Sequence, residues 1–506
     1  MIRFLRNVFR LLRLAFILAR HNALFPLEAL KVAPAVVWLA RLVSWRRAPG
    51  RPGERLARAL QQMGPSFIKL GQALSTRADL LGPRVAEDLS ALQDHIPPFP
   101  GTVARHIIES ELGKPLEQIY TSFDDKPVAA ASMSQVHFAT TPDGREVAVK
   151  VLRPHIERDF ARDLDMLYWL AELVEFTQPH LRRLRPIASV RAFAEMVRLE
   201  IDLRMEAAAN QELNENFADD PGYRTPEVDW ERTGQRVLTV ERIHGIPIDE
   251  RDALIAAGHD INAVLRKSAE AFFYQVFRDG FFHGDMHGGN AFVDQHGVVI
   301  PVDFGIMGRV DQATRRYLAE LLIAFLQGDY HAVAEVQFRA GYVPADKSIE
   351  VFAQACRSIG EPIFGKASHD ISVARLMAQL FRVTEQFEMA VQPELLLLQK
   401  TMLMAEGMGV RLNPDVNIWE LSQPLIEEWM ITNFGPRARI ERALKEARLT
   451  LERVPRLMEH LEVVAEQRRR AGEREAQARH RRIRITRAEA IAAVALIVAV
   501  VALFVR

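Results

Sequence analysis

At 506 residues the chain has room for about two or three structural units, and 65 Lys+Arg balanced by 65 Asp+Glu leave no global charge bias toward nucleic acid. The single cysteine, Cys356, excludes an internal disulfide framework and a cysteine-built zinc cage, and it fits a reducing compartment. The neutral total hides an uneven layout.

The chain opens MIRFLRNVFRLLRLAFILARHN, with Arg3, Arg6, Arg10, Arg13 and Arg20 and no acid. Phe4, Val8, Leu11, Leu12, Phe16 and Leu18 are interleaved at roughly helical spacing. A signal peptide needs a longer unbroken apolar core and a small-residue cleavage site, so the pattern predicts an amphipathic helix lying on an anionic membrane surface. Pro/Gly-rich breaks at 48–53, 96–101 and 219–227 then divide the middle into a helical segment, a mixed segment with strands and a mostly helical remainder.

Val128 to Lys150 reads VAAASMSQVHFATTPDGREVAVK. Pro142-Asp143-Gly144 is a turn signal, and Val147-Ala148-Val149-Lys150 is a strand ending in a lysine. Ahead of them stand Ala129, Ala130, Ala131 and Ser132. Alanine tolerates a close backbone approach but resists positive φ, so this loop is stiffer than a glycine-rich one. Further on, RLEIDLRMEAAANQELNENF is rich in helix formers, and Asp202 and Glu206, four apart, share a face. VLTVERIHGIPID (237–249) reads as an edge strand and hinge by position alone.

The densest cluster is FFHGDMHGGN, from Phe281 to Asn290. His283 and His287 have the i, i+4 spacing of a zinc pair on a helix, but Gly284, Gly288 and Gly289 each make a helix costlier by up to about 1 kcal/mol relative to Ala, which favours a loop. AFVD and VVIPVD follow as two short β-rich runs around Gln-His-Gly, a hairpin signal, and the second ends in Asp303-Phe304-Gly305. An Asp-x-x-x-x-Asn loop followed by Asp-Phe-Gly is the order in which kinase-fold enzymes place a catalytic aspartate, a magnesium-binding asparagine and a magnesium-binding aspartate. Mg²⁺ takes oxygen ligands, so Asn290 and Asp303 are the metal candidates, and Asp285 is left to orient a nucleophile and accept its proton. In the same scheme Lys150 holds the α/β-phosphates of ATP or ADP, Glu206 is its acidic partner, and the nucleotide lies against Ala129, Ala130, Ala131, Ser132, Met133, Ser134, Gln135, Val136 and His137. The alanines predict an altered nucleotide grip, with a preference for ADP or a brake on transfer. The residue before Asp285 is Gly284 where protein kinases carry arginine, and no Ala-Pro-Glu follows Asp303, so a small-molecule phosphotransferase or an ATPase ranks above a protein kinase.

Residues 311–440, including Leu395–Leu398, read as packed helices to which no chemistry is assigned. Residues 441–487 are dense in Arg and Glu, a long exposed helix by pattern. The run from Ala490 to Val505 is then apolar, slightly short of the roughly 20 residues a spanning helix needs. Arg481, Arg482, Arg484 and Arg487 precede it and Arg506 alone follows, which places the bulk of the chain on the cytoplasmic side of a tail anchor.

Lys69-Leu70-Gly71-Gln72 in GPSFIKLGQALSTRADLLGP is Lys-x-Gly-Gln, and Glu200-Ile201-Asp202 is Glu-x-Asp. With the alanine loop, the EAAAN run, HGDMHGGN and DFG, the chain resembles the UbiB family of atypical kinase-fold proteins over about residues 60–310. Gly284, Met286 and Gly288 depart from the His-Ala-Asp-Pro-His-Pro-Gly-Asn loop of many members. The resemblance implies an α+β, protein-kinase-like two-lobed fold with a helical N-terminal extension and a C-terminal transmembrane tail. The segments are then 1–48 (basic amphipathic region), 49–122 (helical extension), 123–245 (N-lobe), 246–440 (C-lobe), 441–486 (charged helix) and 487–506 (tail). It further implies a membrane-associated ATPase of the bacterial inner membrane, needed for ubiquinone biosynthesis and facing the cytoplasm. Its expected partners are membrane lipid, quinone-precursor lipid and the enzymes of that synthesis, with a homodimer left open. Finally, it implies that Lys69 and Gln72 sit against Glu200 and Asp202 and gate the site, which makes physical sense because a buried lysine must be neutralised. Two readings compete: an aminoglycoside-phosphotransferase-type small-molecule kinase, and a nucleotide-sensing lipid or protein scaffold without turnover.

Overall fold

The computed structural model describes residues 2–30, 49–75, 81–90, 96–178, 185–361 and 393–414, with isolated positions between them. The predicted charged helix and apolar tail, 441–506, lie outside the described residues, all of which belong to the compact unit Met1–Glu427. Among the described residues no helix is long and apolar enough to cross a membrane.

The N-terminal helix α1 (Ile2–Arg20) divides its apolar residues between two faces. Leu11, Ala15 and Leu18 are buried in a cluster with Leu56 and Leu60 of α2 (Pro52–Met63), Phe67 and Ile68 of α3 (Pro65–Ser75), and Leu89 of α4 (Pro83–Ser90). Phe9, Leu12 and Phe16 remain exposed. Of the helix's arginines, Arg6 pairs with Asp165 at 2.7 Å and Arg10 donates to the Arg162 carbonyl at 2.9 Å, tying it to the body of the protein. Gly71 makes the tight α2–α3–α4 packing feasible, because a Cβ there would lie 2.6 Å from Leu92 and 2.7 Å from Leu60.

Next comes α5 (Gly101–Leu112), whose Ala104, Ile107 and Ile108 pack against a five-stranded antiparallel sheet. The strands are β1 (Ser122–Phe123), β2 (Ala129–Ala130), β3 (Ser134–Thr140), β4 (Glu146–Leu152) and β5 (Val237–Glu241), in the order β1-β3-β4-β5 with β2 also on β3. Strand period two buries Val147, Val149 and Val151 on one face and turns Lys150 to the other. Gly144, at φ 86°, supplies the predicted turn before β4. The long helix α6 (Ile156–Thr177) and α7 (Pro186–Glu200) follow, then α8 (Leu203–Asn216), which packs on β5.

The remaining described chain is mainly helical, with short strand pairs at the site. Helix α9 (Ile261–Phe273) runs into a π-helical turn, Tyr274–Asp279. Strand β6 (Ile246–Pro247) joins β8 (Ala291–Val293) and β9 (Val299–Pro301), while β7 (Phe281–His283) pairs with β10 (Met307–Arg309). The predicted hairpin at 291–303 is thus β8–β9, closed by Gly297 at φ 72°. Helices α10 (Gln312–Leu326), α11 (Tyr330–Arg339) and α12 (Ile349–Gly360) follow, and α13 (Pro393–Leu412) returns to pack on α9 and β10.

Candidate active site

The site is centred on one lysine and two carboxylates from three distant segments. Lys150 Nζ donates to Glu206 Oε1 at 2.7 Å and to Asp303 Oδ1 at 2.9 Å. Glu206 lies in the first turn of α8, whose N-cap is Asp202, its Oδ1 accepting from the Arg204 N–H at 3.1 Å. Asp303 follows β9 and holds φ at 77°, a left-handed conformation unusual for a non-glycine residue, with Gly305 N donating back to its carboxylate at 3.3 Å. Burial by itself would discharge Lys150, but the two carboxylates keep it a cation. Burial also works against the Asp303 carboxylate, and Lys150 outweighs it, holding this carboxyl well below the usual range. Glu206 goes the other way: burial, reinforced by the Asp303 charge and only partly offset by Lys150, pushes it up to about 7.

The histidine-rich stretch is a loop, and its hydrogen bonds exclude the zinc reading. His283 is fully buried, and its Nε2–H donates to the Asp303 carbonyl at 2.7 Å. That fixes the tautomer, so Nδ1 is the acceptor for the Asp285 N–H at 3.1 Å, and burial pushes the imidazole pKa down. With both ring nitrogens committed, His283 ties the Asp285 loop to the Asp-Phe-Gly turn and has no lone pair for a metal. His287 Nδ1 accepts from Gly289 N at 3.1 Å and caps the turn before Asn290. Among the described residues no group of three or more His, Cys, Asp or Glu is gathered for a metal. Buried Gln275, in the π-helical turn, accepts from His283 N at 2.9 Å and donates to the Tyr223 hydroxyl at 3.1 Å, which locks β7.

Asn290 follows directly from that loop. Its Nδ2 donates to the Asp285 carbonyl at 3.0 Å, leaving Oδ1 as the atom for a hard cation, and its own carbonyl accepts from Val302 N at 2.8 Å. The β8–β9 register therefore sets Asn290 beside the segment that carries Asp303. Two oxygen donors, one of them a carboxylate kept ionised, fit the way Mg²⁺ binds through few protein ligands plus substrate phosphates.

The alanine segment forms a tight hairpin, with Ala129 opposite Val136, Ala130 opposite Gln135, and Ala131 N donating to the Ser134 carbonyl at 2.8 Å. Arg153 grips the Ala131 carbonyl at 3.0 and 2.8 Å. Ser132 is almost wholly buried, and its hydroxyl has no hydrogen-bond partner among the described residues, as suits a group awaiting a ligand oxygen. Met133 is buried against Leu152 and Phe160. Gln135 and His137 turn away from such a ligand. Gln135 makes a reciprocal pair with the Phe99 backbone at 3.0 and 3.1 Å and donates to His137 Nε2 at 2.9 Å, while His137 Nδ1–H donates to the Asp124 carbonyl at 2.7 Å. Their side chains bind the hairpin to the Pro-rich segment before α5, so they are engaged within the protein.

Of the four residues expected to form a gate, Lys69 on α3 and Glu200 at the end of α7 form an ion pair, both largely buried. Lys69 also adds to the positive field that holds the Asp303 carboxyl down. Asp202 makes a two-pronged pair with Arg204, at 2.9 and 2.7 Å, in addition to its cap. Gln72 lies on the next turn of the Lys69 helix, half-buried.

Sequence reasoning missed Lys400. On α13, within residues left without chemistry, its Nζ donates to Asp285 Oδ1 at 3.0 Å. The available signal is a lone cation inside PELLLLQKTMLMAEGMG, an otherwise mostly apolar helix face.

A sheet whose inner lysine, on β4, meets an acid on α8 and an Asp-Phe-Gly aspartate defines the class, a protein-kinase-like fold. Residues 91–337 match the ABC1 atypical kinase-like domain, and residues 356–417, which include Lys400, match the UbiB helical domain. A probable protein kinase UbiB of Marinobacter nauticus is 41% identical over 93% of this chain and 87% of its own length, and one of Aeromonas salmonicida is 43% identical over 80% and 76%. Among solved structures, an Rv3197–erythromycin complex from Mycobacterium tuberculosis is 25% identical with a TM-score of 0.51, covering 72% of this chain and 93% of that one. The chain belongs to the UbiB family of atypical kinase-like proteins.

Proposed function

We propose that this chain is an Mg²⁺-dependent ATPase or atypical kinase-type phosphotransferase that supports ubiquinone biosynthesis at the cytoplasmic face of a bacterial inner membrane. One observation carries the reading: Lys150 is bonded to Glu206, the pairing that holds a kinase lysine over nucleotide phosphates, and its second bond, to Asp303, brings the metal candidate to the same point. Lys150 holds the α/β-phosphates, the hairpin from Ala129 to Ser134 covers them, and Asn290 and Asp303 are the residues that hold Mg²⁺. When bound, the ion would supply neutralisation of the charge on the transferring phosphoryl group. Asp285 orients the acceptor hydroxyl or water and takes its proton. Lys69, paired with Glu200, contributes a helix that covers the site and restricts what acceptor enters, and Gln72 and Asp202 belong to the same gate.

The exposed strip of Phe9, Leu12 and Phe16 on an arginine-rich helix supports contact with membrane lipid, and a quinone-precursor lipid is the acceptor or effector suited to that setting. In this reading the apolar run at 487–506 anchors the chain, and its partners are biosynthetic enzymes and a second copy of the chain. Asp303→Asn tests the reading. It should lower Mg·ATP hydrolysis by the full-length protein on the order of 10³-fold while leaving the fold intact, and hydrolysis equal to wild type would sink it. A second reading, nucleotide sensing without turnover, draws on the Lys400–Asp285 pair, which occupies the proton acceptor. Nucleotide-dependent thermal shifts with no hydrolysis would select it.

A further inference from the structure

We propose that Lys400 is the cation that contacts the γ-phosphate of bound ATP, brought to the catalytic loop by a helix outside the kinase-like domain. The inference rests on the nucleotide reading above and adds a residue to it. Its basis is the 3.0 Å bond from Lys400 Nζ to Asp285 Oδ1, where both side chains are partly exposed, at 32% and 26%. The other two lysines of the site are held elsewhere, Lys150 between Glu206 and Asp303 and Lys69 on Glu200. Among the described residues, Lys400 is the cation paired with the aspartate that meets the acceptor.

The placement is built, not incidental. Leu397, one turn before Lys400 on the same face of α13, lies where a Cβ on Gly284 would come within 3.1 Å of it. A side chain at position 284, where protein kinases carry arginine, would meet Ile306 at 2.9 Å as well and would force that residue and the Leu397 tip to shift. Thr401, fully buried, donates its hydroxyl to the Leu397 carbonyl at 2.9 Å. Two turns further, Ala405 and Met408 close a small apolar cavity with Met286, the residue after Asp285. The helix is thus registered on the catalytic loop by apolar contacts on both sides of Lys400, so the ammonium is delivered to one place. A partly exposed ion pair adds little to stability, so fold maintenance is a weak reason for that precision.

The chemistry gives a stronger one. An aspartate that takes the acceptor's proton lies within hydrogen-bond reach of the attacking oxygen, which is itself bonding to the γ-phosphorus. A cation in contact with that aspartate reaches the peripheral γ-oxygens, where transition-state charge is spread. In the transfer, the acceptor oxygen forms the new bond to the γ-phosphorus and its proton passes to Asp285. The bond from the γ-phosphorus to the β,γ-bridging oxygen breaks, and its electron pair leaves on ADP. Lys400 moves from the Asp285 carboxylate onto the γ-phosphate, which frees Asp285 to act as base; with ADP bound it stays on Asp285. The residue therefore distinguishes ATP from ADP.

The test uses the full-length protein with Lys400→Met, Lys400→Gln and Lys400→Arg. Affinities for Mg·ADP and for Mg²⁺ with a non-hydrolysable ATP analogue are measured by calorimetry, beside ATP turnover. In both neutral variants, ADP affinity should stay within about twofold of wild type, the analogue should weaken about tenfold, and kcat should fall on the order of 10²-fold, with partial recovery in Lys400→Arg. Equal weakening of both nucleotides, or an unchanged analogue-to-ADP ratio, overturns the proposal and leaves Lys400 a structural pair. Should Lys400→Met not fold, the ratio in Lys400→Gln decides alone. Wild-type protein that binds neither nucleotide overturns the proposed function and this inference with it, whereas wild-type binding with an unchanged ratio overturns this inference only.

Discussion

The kinase-like sheet and the helices flanking it contribute to one site by different physical routes. In the sheet, Lys150 faces the site because strand alternation turns it there, and Glu206 meets it from the first turn of a capped helix. Those placements follow from short-range rules of strands and helix ends. Lys69 and Lys400 arrive on helices from either side of the kinase-like domain, and their placement depends on how whole helices pack. Chemistry set by local rules is the more legible in sequence. Chemistry delivered by packing is the more easily lost when one contact changes.

That contrast can be broken at the flanking side first. Lys69→Met removes the cation paired with the largely buried Glu200 carboxylate and should cost about 3 kcal/mol, read as a drop in Tm. Adding Glu200→Gln should recover much of the loss, and a single substitution with no thermal effect would mean the pair does not hold the helix. Gly71→Ala inserts a methyl against the ends of Leu92 and Leu60 and should cost about 1–2 kcal/mol, because leucine tips yield more readily than backbone. Chemical denaturation measures it, and a stability equal to wild type would show that α2, α3 and α4 can separate freely.

On the sheet side the sharpest test is pH. Glu206 is pushed up to about 7 when folded, against 4.5 as its ordinary value. Between these values the folded chain binds the proton that the unfolded chain has released, so this group's stabilisation is present at low pH and lost as pH rises through about 7. Wild type should therefore lose about 1–3 kcal/mol relative to Glu206→Gln between pH 5 and 8, seen as a converging or crossing pair of Tm curves. Parallel curves would mean that Lys150 holds Glu206 ionised throughout.

Several elements were legible for identifiable reasons. The β3–β4 hairpin, its Gly144 turn and the β8–β9 hairpin lie in local patterns of apolar alternation and turn residues, and Asp285, Asn290 and Asp303 lie within one short stretch. Other features needed coordinates. Period analysis cannot say which apolar strip of α1 is buried, and the structure assigns Leu11 and Leu18 to the core while leaving Leu12 and Phe16 outside. Nor does spacing separate a histidine that binds a metal from one that ties two loops together, a choice made at His283 by two hydrogen bonds.

The amino-acid sequence by itself determined the order of the phosphate-handling residues, the strand that carries Lys150 and the apolar or basic character of each end. Spacing and period act over a few residues and can be read without a fold. Only the tertiary structure decided that Asp202 belongs to Arg204 and that Lys400 reaches Asp285 across 115 positions of chain. A long-range ion pair is set by the packing of the helices that bear it, and that packing depends on small residues such as Gly71 and Gly284, whose importance lies in what they let approach.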